Sequence, residues 1–136
     1  MRYYRLMPPD PRAFDAVRAA LDRASGLDAE EALPHLREAA EQLTGLIDES
    51  LAEAVLTGTA TLRSAGARAG LSENAVGPRL ARTRTLAPYA NDGGRVTAAG
   101  IERAKYDHET GTAPPTPPED RAAPPMRFKP RRPSKP

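Results

Sequence analysis

The sequence predicts a mainly α-helical protein: N-terminal helices, a helix-turn-helix with a small β-hairpin, and a disordered C-terminal tail rich in proline. Three observations predict this fold class. Apolar residues recur at helical spacing through the first half of the chain. Helix caps and small residues surround a tight turn near residue 70. Nine prolines lie between residues 113 and 136. The expected units are residues 1–46, 47–109 and 110–136.

The composition excludes several classes of function. A chain of 136 residues has room for one domain and a tail, but not for a large enzyme fold. It contains no cysteine, which excludes disulfides, thiolate zinc sites and thiol nucleophiles. His35 and His108 have no metal-ligand pattern around them, and no phosphate-binding glycine loop is present. We therefore expect no enzyme activity, with no catalytic residue, metal or cofactor.

The charge is distributed unevenly along the chain. The net charge is +2, but residues 1–57 carry 6 basic and 11 acidic side chains, a net −5. Residues 58–106 carry 8 and 3, a net +5, and residues 107–136 carry 6 and 4, a net +2. Because neutralised phosphates supply most non-specific DNA affinity, the basic middle predicts a nucleic-acid-binding segment. A solvated arginine-rich surface set by base composition is the alternative.

The sequence contains no segment suited to a membrane. The opening residues, MRYYRLMPPD, lack the apolar core of a signal peptide. No apolar run approaches the ~20 residues that span a bilayer. We expect a cytoplasmic protein that does not contact membranes.

The first helix is predicted by its start signal and its apolar spacing. Asp10 and Pro11 have the residue types of an N-cap and a first helical position, and Gly26 ends the helix. Its apolar side chains recur three and four residues apart, at Phe14, Val17, Leu21 and Ala24.

A second, long amphipathic segment follows. Asp28 and Glu31 have the spacing of a capping box, and we expect a break near Thr44 and Gly45 with a new cap at Asp48. A narrow apolar stripe buries well against a symmetry mate, so these helices predict a homodimer. Packing onto the chain's own domain is the alternative. The stripe consists of Leu36, Ala40, Leu43, Ile47, Leu51 and Ala54.

Residues 61–86 predict two short helices joined by a tight turn. Thr61 caps the first, Gly70 forms the turn, and Ser72 caps a second helix that we expect to reach Leu86. The small residues where the helices must approach are Ala65, Gly66, Ala69 and Gly70.

A β-hairpin is predicted after the second helix. Residues 86–90 form one strand, the Asn-Asp-Gly-Gly run at 91–94 is a strong turn signal, and residues 95–97 form the return strand. Thr97 then caps a final helix that ends near His108.

The polar residues of this unit suit DNA. Asn74 can pair with adenine and Glu73 can accept from cytosine at the start of a recognition helix. A wing arginine contacts the backbone or the minor groove, and Thr61 with the first amides of its helix can hold a phosphate. The candidate DNA-binding residues are Thr61, Arg63, Ser72, Glu73, Asn74, Arg79, Arg82, Arg84 and Arg95.

Pro78 conflicts with a continuous recognition helix. It removes one backbone hydrogen bond and crowds the preceding turn, at a cost of ~3 kcal/mol. Either the helix kinks there, or it begins there with Pro78 as its first residue. In the second case Glu73 and Asn74 lie in a loop, and Arg79 and Arg82 become the leading base-contact candidates.

The tail, residues 110–136, has too few apolar side chains to form a core, so we expect it to be disordered and partly polyproline II. Its basic end, RFKPRRPSK, predicts weak contacts with DNA or with an acidic protein. A tail that serves only solubility is the alternative.

The order helix, helix, turn, helix, hairpin, closed by GRVTAAG, resembles the winged helix-turn-helix domains of small bacterial transcriptional regulators. The resemblance covers roughly residues 47–108. It implies sequence-specific binding to duplex DNA, with the recognition helix in the major groove and the wing on the backbone or in the minor groove. The run VGPRLARTRTL, residues 76–86, is similar to the recognition helix of sigma-factor region 4. That shorter likeness does not support a complete sigma factor.

A second class of function is left open by the sequence. The chain could be a non-catalytic adaptor or assembly protein whose helix-turn-helix contacts polymerase, phage or plasmid machinery. The acidic N-terminal helices and the proline-rich tail favour this alternative. A steep salt dependence of duplex binding would favour DNA instead.

Overall fold

A computed structural model describes residues 9–115, which form five α-helices and one 3-10 helix. The expected tail therefore lies outside the described residues from position 116 onward. Among the helices of residues 9–115, none has the length and apolar character needed to span a membrane. The helices are α1 (Pro11–Ala24), α2 (Ala29–Leu56), α3 (Leu62–Arg68), α4 (Glu73–Leu80) and α5 (Ala98–Thr110), with the 3-10 helix (Ala87–Tyr89) before α5.

Side-chain caps determine where four of these helices begin. In each case a carboxylate or hydroxyl oxygen accepts a hydrogen bond from an amide of the first turn, which has no partner within the helix. Removing such a cap typically costs about 1 kcal/mol. The capping residues are the ones that the sequence predicted: Asp10, Asp28, Thr61 and Thr97.

α1 and the first half of α2 form an antiparallel hairpin. Residues 25–28 connect them, and Gly26 has a φ of +88°, which suits glycine at the end of a helix. An ion pair between Arg23 and Glu38 joins the two helices at 3.0 Å. The helices approach through mostly small buried residues: Ala20, Ala24, Ala32, Ala39 and Leu46.

α2 is a single helix of 28 residues, about 42 Å long, and the expected break near Thr44 does not occur. The hydroxyl of Thr44 donates to the carbonyl of Ala40 at 2.9 Å, inside the helix. Asp48 lies within the helix and does not start a new one. The expected boundary between residues 46 and 47 therefore falls inside α2, and the two units share this helix.

The second half of α2 lies in the main core. It packs against α3, α4, α5 and the segment that joins α4 to α5. The apolar side chains of this core come from every one of these elements, so the core holds the turn between α3 and α4 in place. Its members are Leu51, Ala52, Val55, Leu56, Ala65, Val76, Leu80, Leu86, Tyr89, Val96, Ile101 and Ala104.

The predicted β-hairpin is wrong, because residues 9–115 contain no strand. Residues 86–90, the expected first strand, include Pro88, which has no amide to give to a strand ladder. This segment forms the 3-10 helix instead, with the amide of Tyr89 donating to the carbonyl of Leu86 at 2.9 Å. The fold of the described residues is therefore all-helical, and the helix-turn-helix has no wing.

The turn at residues 91–94 exists, but it does not join two strands. The amide of Asn91 donates to the carbonyl of Arg95 at 2.8 Å, and the Asn91 side chain accepts from the Arg95 amide at 3.1 Å. The amide of Val96 then donates to the carbonyl of Gly77 at 3.1 Å. The expected return strand thus lies on α4.

α4 ends at Leu80, six residues before its expected end. Thr83 is buried in the turns that follow, where its hydroxyl donates to the Leu80 carbonyl at 2.6 Å and accepts from the Leu86 amide at 3.3 Å. The Thr83 hydroxyl thus satisfies a carbonyl and an amide that would form helical hydrogen bonds if α4 were longer. Only the first half of the run similar to sigma-factor region 4 is helical.

Candidate nucleic-acid interface

α3 and α4 approach each other closely at a glycine. A Cβ atom on Gly66 would lie 2.7 Å from Cγ2 of Val76, a separation that packed atoms do not reach. The Gly66 carbonyl accepts from the Leu71 amide at 2.8 Å, and Gly70 adopts the left-handed conformation at φ +72°. These features produce the tight turn that the small residues predicted.

The first turn of α4 faces solvent. Ser72 is the N-cap by position, but its side chain makes no capping hydrogen bond. Ser72, Glu73 and Asn74 are all exposed. α4 begins at Glu73 and contains Pro78, so the helix does not start at Pro78, and Glu73 and Asn74 are helical.

Arg95 compensates for the proline in α4. Because Pro78 has no amide, the carbonyl of Asn74, four residues earlier, lacks its usual helical partner. Nη2 of Arg95 donates a hydrogen bond to that carbonyl. Gly77 lets the chain around Arg95 lie close to α4, since a Cβ atom there would be only 3.1 Å from the carbonyl oxygen of Val96. Arg95, expected at a wing tip, is instead bound to α4.

Arg79 points toward α2 and forms an ion pair. Its Nη1 lies 3.0 Å from Oδ1 of Asp48. The Arg79 side chain is 27% exposed and that of Asp48 is 9% exposed, so the pair is largely shielded from water. A buried carboxylate needs such a partner. The contact joins α4 to α2 and turns Arg79 away from the exposed side of α4.

The exposed side of α4 continues beyond its last residue. Asn74 and Pro78 are spaced four residues apart, which places them on one side of α4. Arg82 follows the helix end in a turn, its amide donating to the Arg79 carbonyl at 3.1 Å. Asn74 and Arg82 are exposed. We call the surface formed by these three residues the α4 face.

Two further candidates lie at the start of α3. Arg63 is exposed and pairs with Glu73 across the turn at 3.4 Å. Such a surface pair contributes little to stability, so its arginine is free to exchange partners. The hydroxyl of Thr61 accepts from the Ser64 amide at 3.0 Å, and the Ser64 hydroxyl accepts from the Thr61 amide at 2.9 Å. Thr61 therefore serves the helix as a cap.

Arg84 lies away from the α4 face. It is exposed, and its amide is 3.4 Å from Oε1 of Glu49 on α2. The same region holds a hydrogen bond from the buried Tyr89 hydroxyl to Oδ2 of Asp107, at 2.8 Å. Burial, and then the hydrogen bond and charge of Asp107, raise the pKa of Tyr89 to about 12. This pair attaches the 3-10 helix to α5.

The structure brings part of the predicted set together. Asp48, the partner of Arg79, was missed as a site residue, because its local pattern suggested a helix cap and its partner lies 31 residues away. Arg79 and Arg95 support α4, and Arg84 stands apart. The candidates on or beside the exposed side of α4 are Arg63, Ser72, Glu73, Asn74 and Arg82.

The described residues offer no metal centre: within positions 9–115, no three of the histidine, aspartate and glutamate side chains could hold an ion. Several carboxylates of the hairpin lie at the surface in ion pairs. Arg37 and Glu41, for example, are 3.1 Å apart on α2.

Comparison of the chain with protein-family models, with curated proteins and with solved structures finds no match in any of the three.

Proposed function

We propose that this chain binds duplex DNA, as a small bacterial transcriptional regulator acting in the cytoplasm. α3 and α4 serve as a helix-turn-helix without a wing, and α4 lies in the major groove, whose width of about 12 Å admits one helix. The observation that carries the proposal is the packing of Gly66 against Val76. It holds α4 across α3 while Asn74 and Arg82 of the α4 face are exposed to solvent.

The charge of the segment supports this assignment. Residues 58–106 carry a net +5, and the exposed arginines near α4 can neutralise phosphates. The acidic N-terminal part, with a net −5 over residues 1–57, would be repelled by the same phosphates. This polarity orients the molecule with α3 and α4 toward the nucleic acid.

Each residue near α4 has a role in the proposal. Asn74 reads a base edge from the major groove, and Arg82 contacts a guanine or a phosphate further along α4. Arg63 exchanges Glu73 for a phosphate beside the turn. Arg79 and Arg95 are positioning residues, since their guanidinium groups hold α4.

The test is the salt dependence of duplex binding by the full chain, followed by fluorescence anisotropy of a labelled duplex. Arg63→Ala/Arg82→Ala should reduce the slope of log affinity against log salt by about two, because each phosphate contact contributes about one. The matched control is Arg12→Ala/Arg23→Ala, which removes the same charge from exposed surface pairs on the hairpin. The control should retain most of the slope.

Two results would overturn the proposal. One is a wild-type chain that fails to bind duplex at low salt, which would favour the adaptor alternative. The other is a double variant whose slope equals that of the wild type. Arg79→Ala is a poor probe here, because it leaves the buried carboxylate of Asp48 unpaired and perturbs folding.

A further inference from the structure

α1 and α2 present a row of large apolar side chains that no other described element covers. Phe14 and Leu21 on α1 are 43% and 47% exposed, and Leu36 and Leu43 on α2 are 43% and 48% exposed. On each helix the two residues are seven positions apart, so they lie on one side. We call these four residues, with Leu33 at 62% exposure, the hairpin face.

The two rows belong to the same side of the hairpin. Phe14 and Leu43 line one apolar groove between α1, α2 and α3. Because α1 and α2 are antiparallel neighbours, Leu21 and Leu36 continue the row toward the other end. The groove reaches Ala65 of α3, so the hairpin face extends to the edge of the helix-turn-helix.

The apolar area of the hairpin face matches a small dimer interface. Side chains of this size carry roughly 150–200 Å² when fully exposed, so the five residues expose on the order of 400 Å² per chain. The largest contiguous apolar patch on a typical monomer is about 300–600 Å², and such a patch is often a functional surface. Homodimer interfaces are about 65% apolar, so this apolar area corresponds to an interface of about 1,200 Å² in total over two protomers. Specific interfaces begin near ~1,200 Å².

The charges beside the hairpin face suit contact with an identical surface. A two-fold axis places the same patch against itself, so a patch with net charge repels its own copy. Here Asp15 and Arg18 pair beside the row on α1 at 3.0 Å, and Arg37 and Glu41 pair beside the row on α2 at 3.1 Å. Each of these two ion pairs is neutral and presents both signs beside the apolar row.

From area and charge together we infer that the hairpin face binds a second copy of this chain. Two hairpins then form a four-helix arrangement in which the exposed leucines and Phe14 are buried between protomers. The helix-turn-helix units lie at fixed positions on either side of the two-fold axis. This inference does not require that the chain bind DNA.

Sedimentation equilibrium of the full chain, without DNA, tests the interface at concentrations from low micromolar to about 100 µM. The wild type should have twice the mass of one 14.6 kDa chain. Leu21→Glu/Leu43→Glu should have the mass of one chain over the same range, because it buries two like charges in each protomer. The dissociation constant should rise at least about 100-fold.

Two further variants separate loss of the interface from loss of the fold. Leu21→Ala/Leu43→Ala removes apolar area with the best helix-forming residue, and it should raise the dissociation constant by about 10-fold. Tyr106→Glu places one such carboxylate on a 63% exposed side chain of α5, off the hairpin, and should leave the dimer unchanged. Circular dichroism should show wild-type helix content in all three.

A wild-type chain that sediments as a monomer at the highest concentration would overturn the inference, since the hairpin face would then be left for a different protein. A glutamate variant that dimerises as tightly as the wild type would also overturn it, because the interface would lie elsewhere. Duplex binding is measured separately. A dimer without duplex binding would therefore contradict only the proposed function.

Discussion

The carbonyl oxygen of Asn74 connects two residues that are 17 positions apart. Pro78 removes the amide that would serve this oxygen, and Arg95 supplies a charged donor in its place. A hydrogen bond from a charged donor is stronger than one between neutral groups. An arginine that looks like a nucleic-acid contact in the sequence thus has a structural partner in the fold.

The replacement of the missing Pro78 amide by the Arg95 guanidinium can be measured as a coupling energy between residues 78 and 95. Arg95→Ala should lower the free energy of unfolding by about 1 kcal/mol, because the bond lies at the surface. In a Pro78→Ala background, whose new amide serves the same carbonyl, Arg95→Ala should cost much less. Urea denaturation of the four chains in a double-mutant cycle measures the difference. Additive effects of the two changes would contradict this account.

The roles of the arginines could not be assigned from the sequence. Arg79 and Arg82 are three positions apart and have similar local surroundings in the chain. Which of them faces α2 depends on where α2 lies, and the carboxylate that captures Arg79 is 31 residues away. Residue type predicted that arginines lie near α4, but only the packing separates Arg82 from Arg79 and Arg95.

At the scale of elements, α3 and α4 can pack closely because Gly66 has no side chain at their point of contact. Gly66 is helical and faces Val76, whose branched side chain cannot rotate away easily. Gly45 is also helical, on α2, but nothing lies within 4 Å of the position its Cβ would take. Replacing these two glycines by alanine should therefore have opposite effects on stability.

Gly66→Ala should destabilise the fold by roughly 1–3 kcal/mol, since the new Cβ forces α3 and α4 apart. Gly45→Ala should stabilise it by up to about 1 kcal/mol, because alanine favours the helix and meets no neighbour. Thermal unfolding followed by circular dichroism measures both. Stabilisation by Gly66→Ala would show that the helices do not approach as closely as the structure places them.

The elements themselves were predictable to different degrees. Helix starts depend on a cap and the amides two or three residues further on, so Asp10, Asp28 and Thr97 could be identified locally. The Asn-Asp-Gly-Gly run predicted its turn but not what flanks it. Two strands pair only if the segments on both sides of the turn are free to do so. Here the segment before the turn contains Pro88 and forms the 3-10 helix, and the segment after it bonds to Gly77 of α4.

At the scale of the whole molecule, the buried Tyr89 and Asp107 pair links global stability to pH. Burial, and then the hydrogen bond to Asp107, raise the pKa of Tyr89 from 10.0 to about 12 in the folded state. The unfolded chain therefore loses this proton first. The contribution of Tyr89 to stability is complete below about pH 10 and is lost as the pH rises toward 12.

The free energy of unfolding should therefore fall more steeply above pH 10 in the wild type than in Tyr89→Phe. The additional slope is at most about 1.4 kcal/mol per pH unit. At neutral pH, Tyr89→Phe should cost about 1–3 kcal/mol, because the buried carboxylate of Asp107 loses this hydrogen bond while Nε of Arg103 stays 4.0 Å away. Urea titrations at a series of pH values measure both effects. Tyr106→Phe, at an exposed position, should keep the wild-type profile, and parallel profiles for all three chains would contradict the assignment.

Because α2 is one continuous helix, the number of residues in it determines how the hairpin face is rotated relative to α3 and α4. Each residue inserted into α2 between Leu43 and Leu51 would rotate the hairpin face by about 100° relative to α3 and α4. An insertion of seven residues, close to two turns, would nearly restore the phase and move the face by ~10 Å along the axis. In this chain, length changes in one helix should therefore act periodically, with the period of the helix itself.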